Sequence, residues 1–183
     1  MADGVEREIK LRFPSAAEAR TAVLATGATP IRGRRLQDDC LLDTADGMLR
    51  RKRSALRVRM ESGRSVLTFK GPVQAAAVKV RDELETDVGD GHLLLKLFEG
   101  LGFQPWFRYQ KYREEFSFDD CIVAVDETPV GVFVEIEGDE AGIATIAGAL
   151  GRGPADYVLQ SYYALYGDDC RRRGLAVTHM LFT

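Results

Sequence analysis

Pairs of like-charged side chains, spaced two residues apart, recur along this 183-residue sequence. Glu6 with Glu8 and Glu135 with Glu137 are two carboxylate pairs of this kind. In a β-strand, side chains two residues apart lie on one face, where like charges repel unless an opposite charge lies between them. Carboxylate oxygens are the ligands that Mg²⁺ and Mn²⁺ prefer in proteins. The acidic pairs therefore predict a site for divalent cations.

Basic side chains are paired in the same way at two other places. Arg57 with Arg59 and Lys111 with Arg113 would each place two cations on one strand face. Arginine contacts phosphate oxygens bidentately, and lysine contacts them as a point charge. The basic pairs therefore predict a ligand that carries several phosphate groups.

The alternation assigns equal numbers of basic and acidic side chains to the charged strand faces. The basic ones are Lys10, Arg57, Arg59, Lys70, Arg81, Lys111 and Arg113, and the acidic ones are Glu6, Glu8, Glu83, Glu85, Asp126, Glu135 and Glu137. Because these charges cancel, a polyanion alone gains little from them. A triphosphate of roughly four negative charges that enters with about two divalent cations preserves the balance.

The same alternation predicts the elements that must position these residues. Eight strands are expected near residues 5–13, 30–43, 55–61, 65–71, 78–88, 104–118, 121–128 and 131–138. Helices are expected from a capping pattern at Ser15–Glu18 up to Gly27, and near 90–101, 139–150 and 156–168. Short turns between strands favour a meander that closes into a barrel. The predicted fold is α+β, an eight-stranded antiparallel closed barrel flanked by helices, in a single domain over residues 1–183.

Two orientations of such a barrel fit the alternation. In one, the charged faces point to solvent and the lumen is apolar, as in a barrel that binds a lipid-like ligand. In the other, the charged faces line a wet lumen and the apolar faces carry the helices. Like-charged pairs that need a counter-charge, and amphipathic helices that need an apolar surface, favour the second orientation.

Composition excludes several classes of protein. A formal net charge of −3 argues against a nucleic-acid binder. Three widely spaced cysteines without a CxxC motif, Cys40, Cys121 and Cys170, indicate reduced thiols in the cytoplasm. Because no apolar run reaches about 18 residues and no signal pattern opens the chain, a membrane partner is not expected.

The motifs resemble the CYTH family, the triphosphate tunnel metalloenzymes, which include class IV adenylate cyclases, thiamine triphosphatases and inorganic triphosphatases. The shared motifs are ExExK at residues 6–10, RVR at 57–59, LTFKGP at 67–72, RDELE at 81–85, KYR at 111–113, Asp126, GVFVEIE at 131–137 and SYY at 161–163. Their order and spacing are similar to the family from about residue 4 to 167, which leaves 168–183 as a C-terminal extension.

The resemblance implies a role for each matched residue. The implied ligands of two Mg²⁺ or Mn²⁺ ions are Glu6, Glu8, Asp126, Glu135 and Glu137. The implied phosphate-binding residues are Lys10, Arg57, Arg59, Lys70, Arg81, Lys111 and Arg113. The implied catalytic residues are Lys10, Glu6 and Glu8.

One position departs from the family pattern. Members commonly carry YYDT or YFDT after the first helix, whereas this chain has Leu41-Leu42-Asp43-Thr44. A tyrosine near this place assists proton transfer to the leaving group in some triphosphatases, and Leu41 cannot do so. The departure puts a mechanism of the thiamine-triphosphatase type in doubt.

Three functions therefore stay open, with a triphosphate-containing small molecule as the expected ligand in each. The first is hydrolysis of tripolyphosphate or of a nucleoside or organic triphosphate, and the second is cyclisation of ATP to cyclic AMP and pyrophosphate. The third is a non-catalytic polyphosphate- or nucleotide-binding module. The run Arg171–Arg173 either contacts a second copy in a homodimer or caps a helix.

Overall fold

A closed antiparallel barrel of eight strands forms the centre of the computed structural model, which describes residues 4–183. The strands are β1 (Val5–Phe13), β2 (Thr29–Thr44), β3 (Ala55–Glu61), β4 (Arg64–Lys70), β5 (Lys79–Val88), β6 (Phe103–Phe118), β7 (Cys121–Thr128) and β8 (Gly131–Glu137). The predicted α+β barrel is confirmed. The first three residues of the predicted domain lie outside the described residues.

The strand order corrects the prediction of a single meander. Around the barrel the order is β1-β5-β4-β3-β2-β6-β7-β8. Two meanders, β2–β5 and β6–β8, are joined by the pairing of β2 with β6, and β1 lies between β5 and β8. The chain leaves β1 through helix α1 (Ala16–Ala25), which packs outside the barrel, so β2 starts next to β6 and not next to β1.

Four further helices follow in the chain, of which all but the first begin at a side-chain cap. They are α2 (Met48–Arg51), α3 (Gly91–Gly100), α4 (Glu140–Ala149) and α5 (Tyr162–Arg173), with a short 3-10 turn at Pro154–Asp156. The predicted cap at Ser15 is confirmed, because its hydroxyl accepts a hydrogen bond from the Glu18 amide at 3.2 Å. None of these helices is both long and apolar enough to span a bilayer.

The helix predicted over residues 156–168 is wrong at its start. Val158 instead pairs with the β1 backbone, donating to the Lys10 carbonyl at 2.8 Å and accepting from the Lys10 amide at 3.1 Å. The helix starts only after Ser161, whose hydroxyl caps the Ala164 amide. It continues to Arg173 and ends at Gly174, which has a φ of 65°. Its last-turn arginines, Arg171 to Arg173, form ion pairs with Asp168 and Asp169, and their contact with a second copy stays a prediction.

The apolar surface of the barrel lies on its outside. Helices α1 and α4 pack on the outer faces of β1, β7 and β8, where Ile9, Val134 and Ile136 have no exposed area. Helix α3 covers β2, β3 and β4 in the same manner. Full burial of such a side chain contributes roughly 1.5–3 kcal/mol. The alternative with outward-facing charges and an apolar lumen throughout is therefore wrong for the described part of the chain.

Candidate active site

The barrel encloses a cavity of about 590 Å³ that is lined mainly by charged side chains. The cations that line it are Lys10, Arg32, Arg57, Arg59, Arg64, Lys70, Lys79, Arg81, Lys111 and Arg113. The carboxylates that line it are Glu6, Glu8, Glu61, Glu83, Glu85, Glu115, Glu135 and Glu137. The structure therefore brings together every residue of the sequence-derived site except Asp126.

Strands β1 and β8 bring four glutamates to one wall of the cavity. Glu8 lies opposite Glu137 in the strand register, and Lys10 lies opposite Glu135. The Lys10 Nζ atom is 3.1 Å from Glu8 Oε1 and 3.1 Å from Glu135 Oε2. Burial disfavours the charged lysine, but Glu135 and Glu8 outweigh burial and raise the pKa of Lys10 above its usual range. Lys10 is therefore a permanent cation between the two strands.

Glu6 binds two cations of the neighbouring strands. Its Oε1 accepts a hydrogen bond from Lys70 at 2.6 Å, and its Oε2 accepts one from Arg81 at 2.8 Å. Burial opposes the charge of Glu6, yet Lys70 and Arg81 hold its pKa well below the usual range. Lys70 also contacts Glu83 at 3.0 Å. These ion pairs fix both cations at the cavity wall.

Asp126 lies behind the cavity wall and has no exposed area. Its oxygens accept hydrogen bonds from Lys111 at 2.8 Å, from the Tyr162 hydroxyl at 2.7 Å, and from Arg113 at 2.7 and 2.6 Å. Burial opposes its charge, but Arg113 and Lys111 lower the pKa of Asp126 to about 2. In this arrangement Asp126 orients two cations toward the cavity, and its role as a metal ligand stays a prediction.

Lys79 is a site residue that was absent from the sequence-derived set. Its ammonium group donates to Glu8, and the lysine is 5% exposed. Burial, which Glu8 only partly opposes, lowers the pKa of Lys79 to about 8. The signal that could have identified it is its position on β5, since it shares a strand face with Arg81.

Asp39 is a second site residue that the sequence-derived set lacks. It is fully buried, and its Oδ1 atom is 2.9 Å from Arg59 Nε and 3.4 Å from Arg57 Nε. At the latter distance Arg57 Nε makes no hydrogen bond with the described residues, although Arg57 Nη2 donates to Thr68 at 3.0 Å. An unsatisfied buried donor costs roughly 1–3 kcal/mol. Arg57 therefore keeps one unsatisfied buried donor beside Asp39.

The donor set fits a divalent cation. Glu137 is exposed, lines the cavity and forms no ion pair with the described residues. Partial desolvation by the surrounding barrel, together with Glu6 and Glu135, raises the pKa of Glu137 to about 7. A carboxylate that neighbouring anions destabilise in this way is stabilised by a cation that prefers oxygen ligands. Among the described residues no three carboxylates form a preformed metal site. The oxygens of Glu8 and Glu135 instead form ion pairs with Lys10, Lys79 and Arg113.

Glu61 organises a cationic cluster at one mouth of the cavity. It accepts hydrogen bonds from Gln37 at 2.5 Å and Arg35 at 3.1 Å, and a further one from Arg32. Burial opposes its charge, but Gln37, Arg32 and Arg35 lower the pKa of Glu61 to about 2. Ile31 and Ile122, which are 47% and 38% exposed, lie at the same mouth. We call this mouth the open end.

At the opposite end the interior changes from charged to apolar. Five side chains, 0–7% exposed, pack together there: Phe107, Phe133, Tyr162, Leu165 and Met180. We call this group the apolar plug. Tyr162 contacts the cavity through its ring, which lies 5.3 Å from Lys10 Nζ and 5.1 Å from Lys111 Nζ. Leu41, the residue in place of the family tyrosine, packs against the apolar plug and does not line the cavity.

Two segments that follow the barrel in the chain pair with otherwise unpaired edges of β1 and β6 at this end. Val158 pairs with Lys10 beyond the point where β5 leaves β1. Met180 accepts from the Gln110 amide at 2.9 Å and donates to the Arg108 carbonyl at 3.0 Å, on a part of β6 that β7 does not reach. Backbone and side chains from residues 157–183 therefore cover this end of the barrel in part, and the exposed Ser161 of this segment lines the cavity.

Comparison with known proteins places this architecture in a family. A model of the CYTH domain matches residues 4–152. A protein of Methanocaldococcus jannaschii named "Putative adenylate cyclase" is 28% identical over 134 residues, which are 73% of this chain and 76% of that protein.

Solved structures share the fold at lower identity. A Pyrococcus horikoshii protein has a TM-score of 0.76 at 24% identity, covering 90% of this chain and 99% of that chain. A Vibrio parahaemolyticus protein described as a putative adenylate cyclase has a TM-score of 0.74 at 19% identity, covering 88% and 97%. A Hippeastrum protein, described as a putative adenylyl cyclase with a dominant triphosphatase activity, has a TM-score of 0.65 at 20% identity, covering 94% and 97%.

Proposed function

The chain belongs to the CYTH family, and we propose that it is a divalent-metal-dependent enzyme that hydrolyses a triphosphate inside the barrel. The observation that carries the proposal is the lining of one enclosed cavity by interleaved cations and carboxylates. Cations alone would suffice to bind an anion. The carboxylates at the same wall add a place for the cations that accompany a triphosphate.

The proposed metal ligands are Glu6, Glu8, Glu135 and Glu137, with Asp126 as a further candidate, and the proposed ions are two Mg²⁺ or Mn²⁺. Such an ion, when bound, neutralises phosphate charge and lowers the pKa of a coordinated water. The chain itself places the four glutamates on the adjacent strands β1 and β8, and Asp126 on β7.

The phosphate-binding residues act by preorganised charge. Arg57 and Arg59 are held by Asp39, and Lys111 and Arg113 are held by Asp126. Cations fixed in this way need little reorganisation when charge develops on the phosphate oxygens. Lys10 stays charged between Glu8 and Glu135, so its proposed catalytic role is electrostatic and not that of a base.

Hydrolysis and cyclisation break different bonds in the same cavity. In hydrolysis, water forms a bond to the terminal phosphorus, and diphosphate or a nucleoside diphosphate leaves. In cyclisation, the ribose 3′-hydroxyl forms a bond to the α-phosphorus, and pyrophosphate leaves. The description of the Hippeastrum protein favours hydrolysis, whereas the name of the Methanocaldococcus protein supports cyclisation as the second candidate.

The test is phosphorus NMR on the purified protein with tripolyphosphate or ATP, with Mg²⁺ or Mn²⁺, and with chelator. Metal-dependent release of orthophosphate is the expected result. Cyclic AMP with pyrophosphate would establish the cyclase. Broadened phosphate lines without turnover would leave a binding module, in which the loss of a tyrosine at Leu41 is the first cause to examine.

A further inference from the structure

Tyr109 lines the cavity, and neither the metal ligands nor the phosphate-binding residues of the proposed function include it. Its side chain is 8% exposed and belongs to β6, two residues before Lys111 on the same strand face. In the strand register it lies opposite Asp39 of β2, the carboxylate that contacts Arg57 and Arg59. Tyr109 therefore brings a hydroxyl group to the arginine-bearing side of the cavity.

The backbone and the ring of Tyr109 are both held in place. Its neighbours in the chain pair with Met180: the Gln110 amide donates to the Met180 carbonyl at 2.9 Å, and the Met180 amide donates to the Arg108 carbonyl at 3.0 Å. The ring stacks on Phe107 at a centroid distance of 5.8 Å. Packing of this kind fixes the position of the hydroxyl, as a directed contact with a ligand requires.

The two tyrosines that line the cavity use their hydroxyls in different ways. The Tyr162 hydroxyl donates to Asp126 at 2.7 Å, so its hydrogen is already bound within the protein. The Tyr109 hydroxyl instead accepts a hydrogen bond from the Arg57 guanidinium. In none of the hydrogen bonds within residues 4–183 does the Tyr109 hydroxyl act as the donor. Its hydrogen is therefore available to a ligand in the cavity.

Tyr109 is a neutral group in this charged surrounding. Burial raises the pKa of Tyr109 above its usual range and Asp39 raises it further, whereas Arg57 and Arg59 oppose the rise only in part. The phenol therefore keeps its proton at neutral and moderately alkaline pH. A neutral donor can contact a phosphate oxygen without a change in the charge of the cavity.

We propose that Tyr109 is a catalytic residue, whose hydroxyl donates a hydrogen bond to a phosphate oxygen on which negative charge develops during the reaction. The proposal rests on the proposed function and adds a residue to its site. Such a bond strengthens as the charge develops, so it stabilises the transition state more than the bound substrate. Arg57, which donates to the same hydroxyl, polarises its O–H bond and makes Tyr109 a stronger donor. The proton stays on Tyr109 throughout.

The test compares Tyr109→Phe with Tyr112→Phe in steady-state turnover of tripolyphosphate and of ATP at saturating Mg²⁺. Tyr112 is the matched control on the same strand, because its ring packs against Arg34 at 3.7 Å and does not line the cavity. Loss of a hydrogen bond to a charged acceptor should lower kcat about 10- to 100-fold in Tyr109→Phe and change KM less than about threefold. Tyr112→Phe should change neither constant.

The ratio of the two kinetic constants separates catalysis from positioning. A raised KM with an unchanged kcat in Tyr109→Phe would overturn the proposal, because it would show that the hydroxyl only positions Arg57 for binding. Thermal unfolding of both variants identifies a loss of activity that comes from a loss of folding. The ring is retained in Tyr109→Phe, so its packing on Phe107 should be preserved.

A second variant tests the proton of the phenol directly. Replacement of Tyr109 by 3,5-difluorotyrosine keeps the ring and the hydroxyl but makes the phenol more acidic. Because a phenolate cannot donate, the kcat of this variant relative to the parent chain should fall as the pH rises through the lowered pKa. A ratio that does not change with pH would contradict a donor role, since packing of the ring does not depend on this proton.

The parent chain distinguishes failure of this proposal from failure of the proposed function. Absence of turnover by the parent with both substrates would remove the proposed function, and the role of Tyr109 with it. An active parent together with full kcat in Tyr109→Phe would remove the role of Tyr109 alone.

Discussion

The two ends of the barrel interior are built on the same strands but from opposite kinds of side chains. On β6, Lys111 faces the charged cavity, whereas Phe107, four residues earlier on the same face, belongs to the apolar plug. On β8, Glu135 faces the cavity and Phe133 belongs to the plug. A distance of two to four residues along one strand face thus separates the charged cavity from the apolar plug.

The comparison teaches where stability and function come from in this molecule. Buried ion pairs such as Arg113 with Asp126 recover little more than the cost of removing both charges from water. Burial of apolar side chains in the plug and under the outer helices contributes directly to folding. The charged region is therefore the proposed ligand-binding region, and the apolar regions provide stability.

The largest expected effect tests the apolar side of this comparison. Phe133→Ala should lower the free energy of unfolding by about 3–5 kcal/mol, because it leaves a cavity among fully buried side chains. Urea denaturation measures the loss. Leu84→Ala on β5 is the control, since Leu84 is 67% exposed and should change the free energy by less than about 0.5 kcal/mol. A loss below about 1 kcal/mol for Phe133→Ala would contradict a packed plug.

The second prediction tests the charged side. Glu137→Gln should reduce metal-supported turnover at least about a hundredfold, because it removes a proposed carboxylate ligand and keeps the shape of the side chain. It should not lower stability at pH 8, because the raised pKa of Glu137 means that its charged form is disfavoured in the folded protein. Phosphate release and thermal unfolding are measured together.

The control for that prediction is an exposed glutamate outside the cavity, Glu99 in α3. Glu99→Gln should leave turnover and its dependence on Mg²⁺ concentration unchanged. Full activity in the Glu137→Gln variant would remove Glu137 from the metal site.

Two arginines provide the third prediction, one that lines the charged cavity and one that packs on the apolar plug. Arg57→Ala should weaken tripolyphosphate binding about 10- to 100-fold, because a charge-assisted hydrogen bond contributes about 1.5–3 kcal/mol. Arg12→Ala should leave binding unchanged, since Arg12 packs over the Phe133 ring and does not line the cavity. Calorimetric titration of both variants with tripolyphosphate in Mg²⁺ measures the two affinities. Equal affinities would contradict the assignment of Arg57 to the phosphate-binding residues.

The smallest expected effect concerns acid stability at the open end. The folded-state pKa of Glu61 is about 2, below its ordinary value of 4.5. Its stabilising contribution is therefore complete above about pH 4.5 and is lost as the pH falls toward 2. Because Arg32 is 40% exposed and Glu115 also competes for Arg35, solvent and neighbours reduce the contribution to about 1–2 kcal/mol.

Glu61→Gln should thus be less stable than the parent chain at pH 7, and the difference should shrink as the pH is lowered to 3.5. Urea midpoints over this range measure it. A difference that grows on acidification would show that the ion pairs of Glu61 do not stabilise the fold.

The sequence was sufficient to predict the strands and the faces of the charged residues. Two-residue alternation places Glu8 and Arg57 on the charged face of their strands, and the like-charged pairs together with the amphipathic helices then favour the lumen for that face. The same parity places Lys79 on the charged face of β5, beside Arg81.

Other features depend on distant parts of the chain. Asp126 shares its parity with cavity residues, but its burial is decided by Tyr162, 36 positions later. The extended path of Tyr157–Gln160 depends on a free edge of β1, which no local pattern reveals. Leu41 looked like a defect in a catalytic motif, and the structure shows it packed against the apolar plug.

The position of β1 has a consequence for how the chain folds. Glu8 pairs with Lys79 on one side and with Glu137 on the other, so closure of the barrel joins segments about 70 and 130 positions apart. Such non-local pairing slows folding, because the entropy of closing long loops is lost before the contacts form. Until β8 docks, β1 presents an unpaired edge bearing Glu8 and Lys10 to other chains. A refolding experiment should therefore show a slow final phase that coincides with the appearance of triphosphate binding.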